Sequence, residues 1–198
     1  KGTSTVNNNS DVDSGFVVEL KLDYTKLGYR SGDPFFFGLT VFDGDSFDDS
    51  LANYGTRTWY FRENGWGPAY AWGKLDPYTV VTGGGQTAQV RHDVIWAKVT
   101  TENIVLDGQL NETSWQKAES VTIRYGQSDI PTSGWRPEFN ENAIYDPLVA
   151  TIKFLAKGEY LYMAFIVQDS SVGGNADWAR WDGILMNIKD KSEGTRPA

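Results

Sequence analysis

Two tryptophans occupy loop-like positions, where an exposed indole ring is suited to binding a sugar. Trp66 lies between two glycines, and Trp178 lies between an aspartate and an alanine. A flat aromatic ring stacks on the apolar C–H face of a sugar, while nearby polar groups bind its hydroxyls. We therefore predict that Trp66 and Trp178 contact a ligand, with Trp135 and Trp181 as substitutes.

Four polar residues lie near these tryptophans in the sequence and are candidates for binding sugar hydroxyls. They are Arg57, Asn64, Arg180 and Asp182. Their side chains carry the donors and acceptors that such recognition needs. The alternative for each is a solvated or structural role.

Acidic residues recur in two segments and predict a calcium site. Asp43 and Asp45 precede two further aspartates, and Asp107 and Glu112 lie in the second segment. Calcium takes several oxygen ligands from such loops, although the spacing of residues 43–49 is not that of an EF-hand. Ordinary turn chemistry is the alternative, because Asp and Gly are frequent in turns.

No catalytic motif is present in the sequence. The single histidine, His92, has no cysteine partner, and neither a nucleophile elbow nor a paired-histidine metal motif occurs. A glycosidase needs two opposed carboxylates, and nothing singles out such a pair among the 26 acidic residues. We therefore expect a protein that binds without catalysing a reaction.

The composition favours an extracytoplasmic protein that binds neutral ligands or cations. The net charge is -8, which argues against nucleic acid and against an anionic membrane surface. Cysteine is absent, and no apolar run approaches the roughly 20 residues that span a bilayer. The first residue is Lys, so we expect a chain processed or excised from a longer one, at an extracellular, periplasmic or cell-surface location.

Strand patterns dominate the sequence and predict an all-β fold. Apolar residues alternate with polar ones, or form short runs bounded by turn residues. The predicted strands are 16–22, 35–42, 56–61, 149–155, 160–167 and 183–188. Residues 156–159 form a hairpin connection between two of them.

Few other elements are predicted. One helical turn is expected from Thr113 to Ala118, and the polar stretches 3–14 and 125–142 are expected to be surface loops. Trp59, Trp72 and Trp115 lie within strands or at the start of an element, so we expect them to be core residues.

A flexible segment divides the chain into two halves. Residues 82–98 contain a run of three glycines and are predicted to be a linker or long loop. Residues 1–81 and 99–198 each contain a cluster of strands, and no repeat relates them.

The second half resembles the N-terminal half of family 9 carbohydrate-binding modules. Residues 105–115 (VLDGQLNETSW) are similar to the opening of such a module. The strand 160–164 (YLYMA), followed by Gln168 and Asp169, resembles a later strand of the family. Residues 177–184 (DWARWDGI) are similar to its Trp-x-x-Asp-x-hydrophobic segment, with one extra residue.

The first half resembles the C-terminal half of the same modules. Residues 15–20 (GFVVEL) are similar to a glycine-led strand of the family, and residues 38–45 (GLTVFDGD) resemble its penultimate strand and acidic loop. Residues 64–75 (NGWGPAYAWGKL) resemble its closing segment. The resemblance covers most of the chain, in inverted order.

The resemblance implies an antiparallel, jelly-roll-like β-sandwich that binds a polysaccharide or oligosaccharide. It also implies a clamp of two tryptophans, matching Trp66 and Trp178, and structural calcium, for which Asp43, Asp45 and Asp107 are the candidates. A second implication is an alternative function, since this fold family includes b-type haem domains resembling the gamma subunit of ethylbenzene dehydrogenase.

For a haem, the candidate ligands in this chain are Met163, Met186 and His92, although we expect Met163 to be core and His92 to be a solvated loop residue. A third alternative is a structural repeat of a surface filament or adhesin.

The inverted order leaves three arrangements open. The chain is a circular permutant that folds as one sandwich, a piece of a tandem array completed by strand exchange with a neighbouring chain, or two independent halves. We favour one sandwich built from both halves, because half a sandwich leaves unpaired edges and an exposed inner face.

Overall fold

A computed structural model of the chain describes residues 10–43, 56–59, 79–82, 94–124, 134–137, 148–173 and 182–188. Most of the regular structure in these ranges is β-strand, which agrees with the all-β prediction. The strands are β1 (Phe16–Asp23), β2 (Pro34–Asp43), β3 (Thr56–Trp59), β4 (Thr79–Thr82), β5 (Val94–Val99), β6 (Glu119–Arg124), β7 (Gly134–Pro137), β8 (Val149–Lys157), β9 (Tyr160–Gln168) and β10 (Gly183–Ile188). A 3-10 helix spans Tyr24–Leu27, and one α-helical turn, α1, spans Thr113–Gln116.

The predicted hairpin and helical turn are confirmed. β8 and β9 pair antiparallel from Val149↔Gln168 to Lys157↔Tyr160, with only two residues between the strands. The left-handed φ of 59° at Gly158 suits this tight turn. The hydroxyl of Tyr24 donates to the Gly158 carbonyl, which fixes the hairpin tip against the end of β1.

The strands form a continuous pairing order in which both halves of the chain take part. The order is β1-β9-β8-β5-β4-β2-β3-β7, with β10 paired to β2 and β6 paired to β8. β1 pairs antiparallel with β9, and β10 pairs antiparallel with β2. Strands from before residue 83 are therefore directly bonded to strands from after residue 148.

The pairing departs from the purely antiparallel arrangement that the resemblance implies. β5 runs parallel to β4, and also parallel to β8 at Lys98↔Leu155 and Val99↔Ala156. A parallel pair needs a long connection, and residues 100–148, which include α1 and β6, provide it between β5 and β8.

Alternation of side chains along the strands builds the main core. On β9 the residues Leu161, Met163, Phe165 and Val167 are buried in one cluster with side chains of β2, β5, β6 and β8. The rings of Phe37 and Phe154 meet edge to face, with their centroids 5.7 Å apart. β2 and β8 are not paired strands, so these rings meet between opposing strand faces.

A second cluster lies on the other face of the β8–β9 hairpin. Leu155, Tyr162 and Ala164 pack there with Ile104 and Trp115. Trp115 is 1% exposed, which confirms its prediction as a core residue. Met163 belongs to the main core, as expected.

Four strands, β4, β5, β6 and β7, lie where the sequence did not predict them. Residues 94–98, assigned to the linker, belong to β5, and Ile95 and Ala97 are buried in the core. β7 lies within the predicted loop 125–142, and β6 follows α1 directly. The β-branched and apolar residues of 94–99 (VIWAKV) favour a strand, a signal that the neighbouring glycine run obscured.

Candidate functional site

An apolar cleft lies between β1 and β10. Its walls are the alternating side chains of Phe16, Val18 and Leu20 on β1, and of Ile184 and Met186 on β10. Its volume is about 500 Å³, within the usual range of about 300–1,000 Å³ for small-molecule sites. Among the described residues, β1 pairs only with β9 and β10 only with β2. Each of the two strands beside the cleft therefore has one edge that pairs with no other described strand.

One end of the cleft is polar. Asp182, which immediately precedes β10, lines it together with Val172 and Gly173. The Gly173 N–H donates to Oδ2 of Asp182 at 2.6 Å. This bond holds the residues that follow β9 against the start of β10, so two separate elements share the polar end.

Three aspartates fix the rim segment, residues 169–173. The N–H groups of Ser171, Val172 and Gly173 are consecutive, and each donates to a carboxylate. Ser171 N–H donates to Asp169 Oδ1 at 2.9 Å, and Val172 N–H donates to Asp13 Oδ2 at 2.7 Å. Asp13 and Asp169 are only 7% and 5% exposed, so these acceptors lie within the folded protein. The rim segment is thus an ordered wall of the cleft.

The structure places one predicted binding residue, Asp182, at this cleft. Arg57 lies on β3, in register with Phe42 on one side and Arg136 on the other. Three further predicted residues lie outside the described residues: Asn64, Trp66 and Arg180. Trp178 also lies outside them, as do the alternatives Trp181 and His92.

Chain connectivity relates two of these residues to the cleft. Trp178 and Arg180 belong to the eight residues between Gly173 and Asp182. Both of those flanking residues line the cleft. By contrast, Trp135, the other alternative tryptophan, is on β7 at the far end of the pairing order.

The carboxylates predicted to bind calcium near residue 107 accept backbone hydrogen bonds. Oδ1 of the exposed Asp107 accepts from the Gln109 N–H at 3.0 Å, and Oε1 of Glu112 accepts from the Val105 N–H at 2.6 Å. Within the residues that the structure describes, no three His, Cys, Asp or Glu side chains come together to hold a metal ion. Asp43 ends β2, whereas Asp45, Asp48 and Asp49 lie outside the described residues.

The apolar cleft-lining side chains were not predicted from the sequence as binding residues. Both strands were predicted, at residues 16–22 and 183–188, from their short apolar runs. Such a pattern does not say which face of β1 meets which face of β10. The apolar lining depends on that meeting, and Met186 was considered only as a haem ligand.

Comparison with known proteins finds no matching family of proteins, no matching curated protein and no matching solved structure. Among the described residues, no helix has the length and apolar character that crossing a membrane requires.

Proposed function

We propose that this chain is a non-catalytic, extracytoplasmic β-sandwich module that binds carbohydrate beside the β1–β10 cleft. The observation that carries this proposal is the position of Asp182. It lines the cleft and directly follows the segment that contains Trp178 and Arg180. An apolar surface with a few polar groups at its edge is the usual chemistry of a small-molecule site.

Packing between strand faces supports the sandwich. Phe37 and Phe154 meet edge to face although β2 and β8 are not paired, and the main core draws on strands from both halves. In this arrangement the β1–β10 cleft is an opening between two layers.

The binding mode combines stacking with hydrogen bonding. In the proposal Trp178 and Trp66 stack on the sugar faces, and Asp182 and Arg180 bind hydroxyls. Asn64 and Arg57 are the remaining polar candidates. A carboxylate acceptor is suited to hydroxyl donors because charged hydrogen bonds are the stronger ones.

Calorimetric titration with a panel of glycans tests the function. We expect at least one glycan to bind, and we expect the double variant Trp66→Ala/Trp178→Ala to lose that binding. Asp182→Asn should weaken it about tenfold or more, as expected for a lost charged hydrogen bond. Asp11→Asn is the matched control, because the exposed Asp11 undergoes the same change of charge away from the cleft lining. A double variant that binds as well as the wild type would show that the clamp is wrong.

Haem binding is the second candidate function, and the position of Met186 favours it. Its thioether-bearing side chain lines the apolar cleft, whereas Met163 is buried in the core. A methionine in an apolar pocket is a known type of axial haem ligand. The absorbance spectrum of the protein supplied with haem tests this candidate. A strong Soret band that Met186→Ala alters would favour haem over sugar, and no band would reject it.

A further inference from the structure

The walls of the cleft offer fewer polar groups than the hydroxyls of a sugar ring need. Five wall side chains, those of Phe16, Val18, Leu20, Ile184 and Met186, carry only carbon and sulfur atoms beyond the backbone. A hydroxyl that leaves water without finding a partner costs free energy. A sugar placed deep between these walls would pay that cost at several hydroxyls. The walls are suited instead to an apolar group.

The polar and apolar parts of the cleft lie at different positions along the strands. Asp182 and Gly173 meet at the start of β10, and Phe16, at the start of β1, is in register with Val167, near the end of β9. Leu20 and Met186 each lie four residues further along a strand, which is about 13 Å at the usual rise per residue. The cleft therefore offers a polar end and an apolar interior to a single ligand.

We infer that the cleft receives the apolar aglycone of a glycoside, while the sugar stays at the Asp182 end. The inference rests on the proposed carbohydrate function and specifies its ligand class as alkyl or aryl glycosides. Burial of the aglycone against Val18, Leu20 and Met186 supplies affinity that a free sugar lacks. Each fully buried methylene contributes roughly a fourfold gain in affinity.

Paired methyl and hexyl glycosides test the inference. Methyl and hexyl β-glycosides of glucose, galactose and xylose, together with hexanol, are titrated against the whole chain by calorimetry. In at least one sugar series we expect the hexyl glycoside to bind about 1,000-fold more tightly than the methyl glycoside, because five more methylenes enter the cleft. The same hexyl glycoside should also bind more tightly than hexanol.

A matched pair of variants locates the effect. Val18 faces the cleft, and Val17 is on the opposite face of β1, because successive strand residues alternate. Val18→Phe should fill the cleft and bring the ratio of hexyl to methyl affinity close to one. Val17→Phe adds the same volume and should keep the wild-type ratio. Met186→Ala, which removes wall atoms without adding volume, should lower the ratio several-fold, and thermal melts establish that each variant folds.

The outcomes separate this inference from the proposed function. If methyl and hexyl glycosides bind equally, the aglycone inference is wrong and the carbohydrate function stands. If hexanol binds as tightly as the hexyl glycosides, the sugar contributes nothing, and both the ligand class and the carbohydrate function are wrong. If Val17→Phe removes the gain as Val18→Phe does, the aglycone lies outside the cleft and the inference is wrong.

Discussion

Glu19 on β1 and Lys153 on β8 are register partners of the same residue, Ala164 on β9, from its two sides. Each binds a backbone atom of the cover segment, residues 100–118. Oε2 of Glu19 accepts from the Gly108 N–H at 2.5 Å, and Nζ of Lys153 donates to the Trp115 carbonyl at 2.8 Å. Residues opposite each other share a face of a sheet. The two side chains therefore fix the cover segment over the face opposite the main core.

Removing the Lys153 amine should loosen the cover segment. Lys153→Met keeps the aliphatic chain but leaves the part-buried Trp115 carbonyl without this donor. We expect a loss of about 1–2 kcal/mol in the free energy of unfolding, measured by urea denaturation. Lys157→Met, on the same strand, is the control and should cost less than about 0.5 kcal/mol. Equal effects of the two variants would contradict this role of Lys153.

A carboxylate also holds the start of α1, and its ionisation should be visible in stability. Oε2 of Glu102 accepts from the Ser114 N–H at 2.7 Å and from the Ser114 hydroxyl at 2.6 Å. The hydroxyl bond is the main reason that the pKa of Glu102 lies below its ordinary value of 4.5. A carboxyl with a lowered folded-state pKa stabilises the protein above its unfolded value and loses this effect as the pH falls through its folded value. Glu102→Gln should therefore flatten the decline of the melting temperature below pH 4.5.

The pKa of Glu119 is shifted in the opposite direction to that of Glu102. Desolvation raises the pKa of its carboxyl group above 4.5, partly opposed by a bond from the Trp96 N–H at 2.7 Å. A raised folded-state pKa means that stability falls as the pH rises above 4.5 through the folded value. Glu119→Gln should remove that fall and raise the melting temperature at pH 7 relative to the wild type. Identical pH profiles for the Glu102 and Glu119 variants would contradict both assignments.

Three glycines should respond to alanine in a graded way. A Cβ at Gly15, where φ is +99°, would lie 1.9 Å from the Val167 carbonyl oxygen on the paired strand. We expect Gly15→Ala to cost about 3 kcal/mol. Gly158→Ala meets no atom but keeps a φ of +59°, and should cost about 1 kcal/mol. Gly183→Ala has space around it and should be neutral within about 0.5 kcal/mol. Urea denaturation measures the order, and a neutral Gly15→Ala would contradict the approach of residue 15 to β9.

Calcium is predicted to stabilise the protein through the acidic segment that begins at Asp43. Addition of excess EDTA should lower the melting temperature, and calcium but not magnesium should restore it, because calcium accepts irregular oxygen ligands more readily. Asp43→Asn/Asp45→Asn should remove the response and Asp107→Asn should weaken it, because all three carboxylates are candidate calcium ligands. A melting temperature that EDTA leaves unchanged would contradict the calcium prediction.

Local sequence patterns predicted where the strands lie better than they predicted which strands pair. The hairpin of β8 and β9 follows from two apolar runs separated by a turn, and residues 183–188 were predicted as the strand that forms β10. The pairing of β1 with β9 has no local signal in the sequence. Gly15 lies against Val167, which is far along the chain, beyond the glycine run at residues 83–85. The bond between Asp13 and Val172 joins residues 159 positions apart. Such contacts depend on tertiary packing, which a periodic pattern does not specify.

Only the polar end of the site could be predicted from the sequence. Asp182 was identified from its neighbours in sequence, and the structure places it at the cleft. The apolar walls were missed because Phe16 and Ile184 become neighbours of one cavity only when β1 and β10 come together. A strand pattern marks such residues as core, and partial burial beside a cavity cannot be distinguished from full burial by period alone.

Hydrogen–deuterium exchange with and without a bound glycan tests the location of the site most directly. We predict that a glycan found by titration slows exchange in peptides covering 16–20, 169–173 and 182–186, which surround the cleft. Exchange in the cover segment, residues 100–118, should not change, because that segment lies on the opposite face of β8 and β9. Protection confined to the cover segment, with none at the cleft, would contradict glycan binding at the β1–β10 cleft.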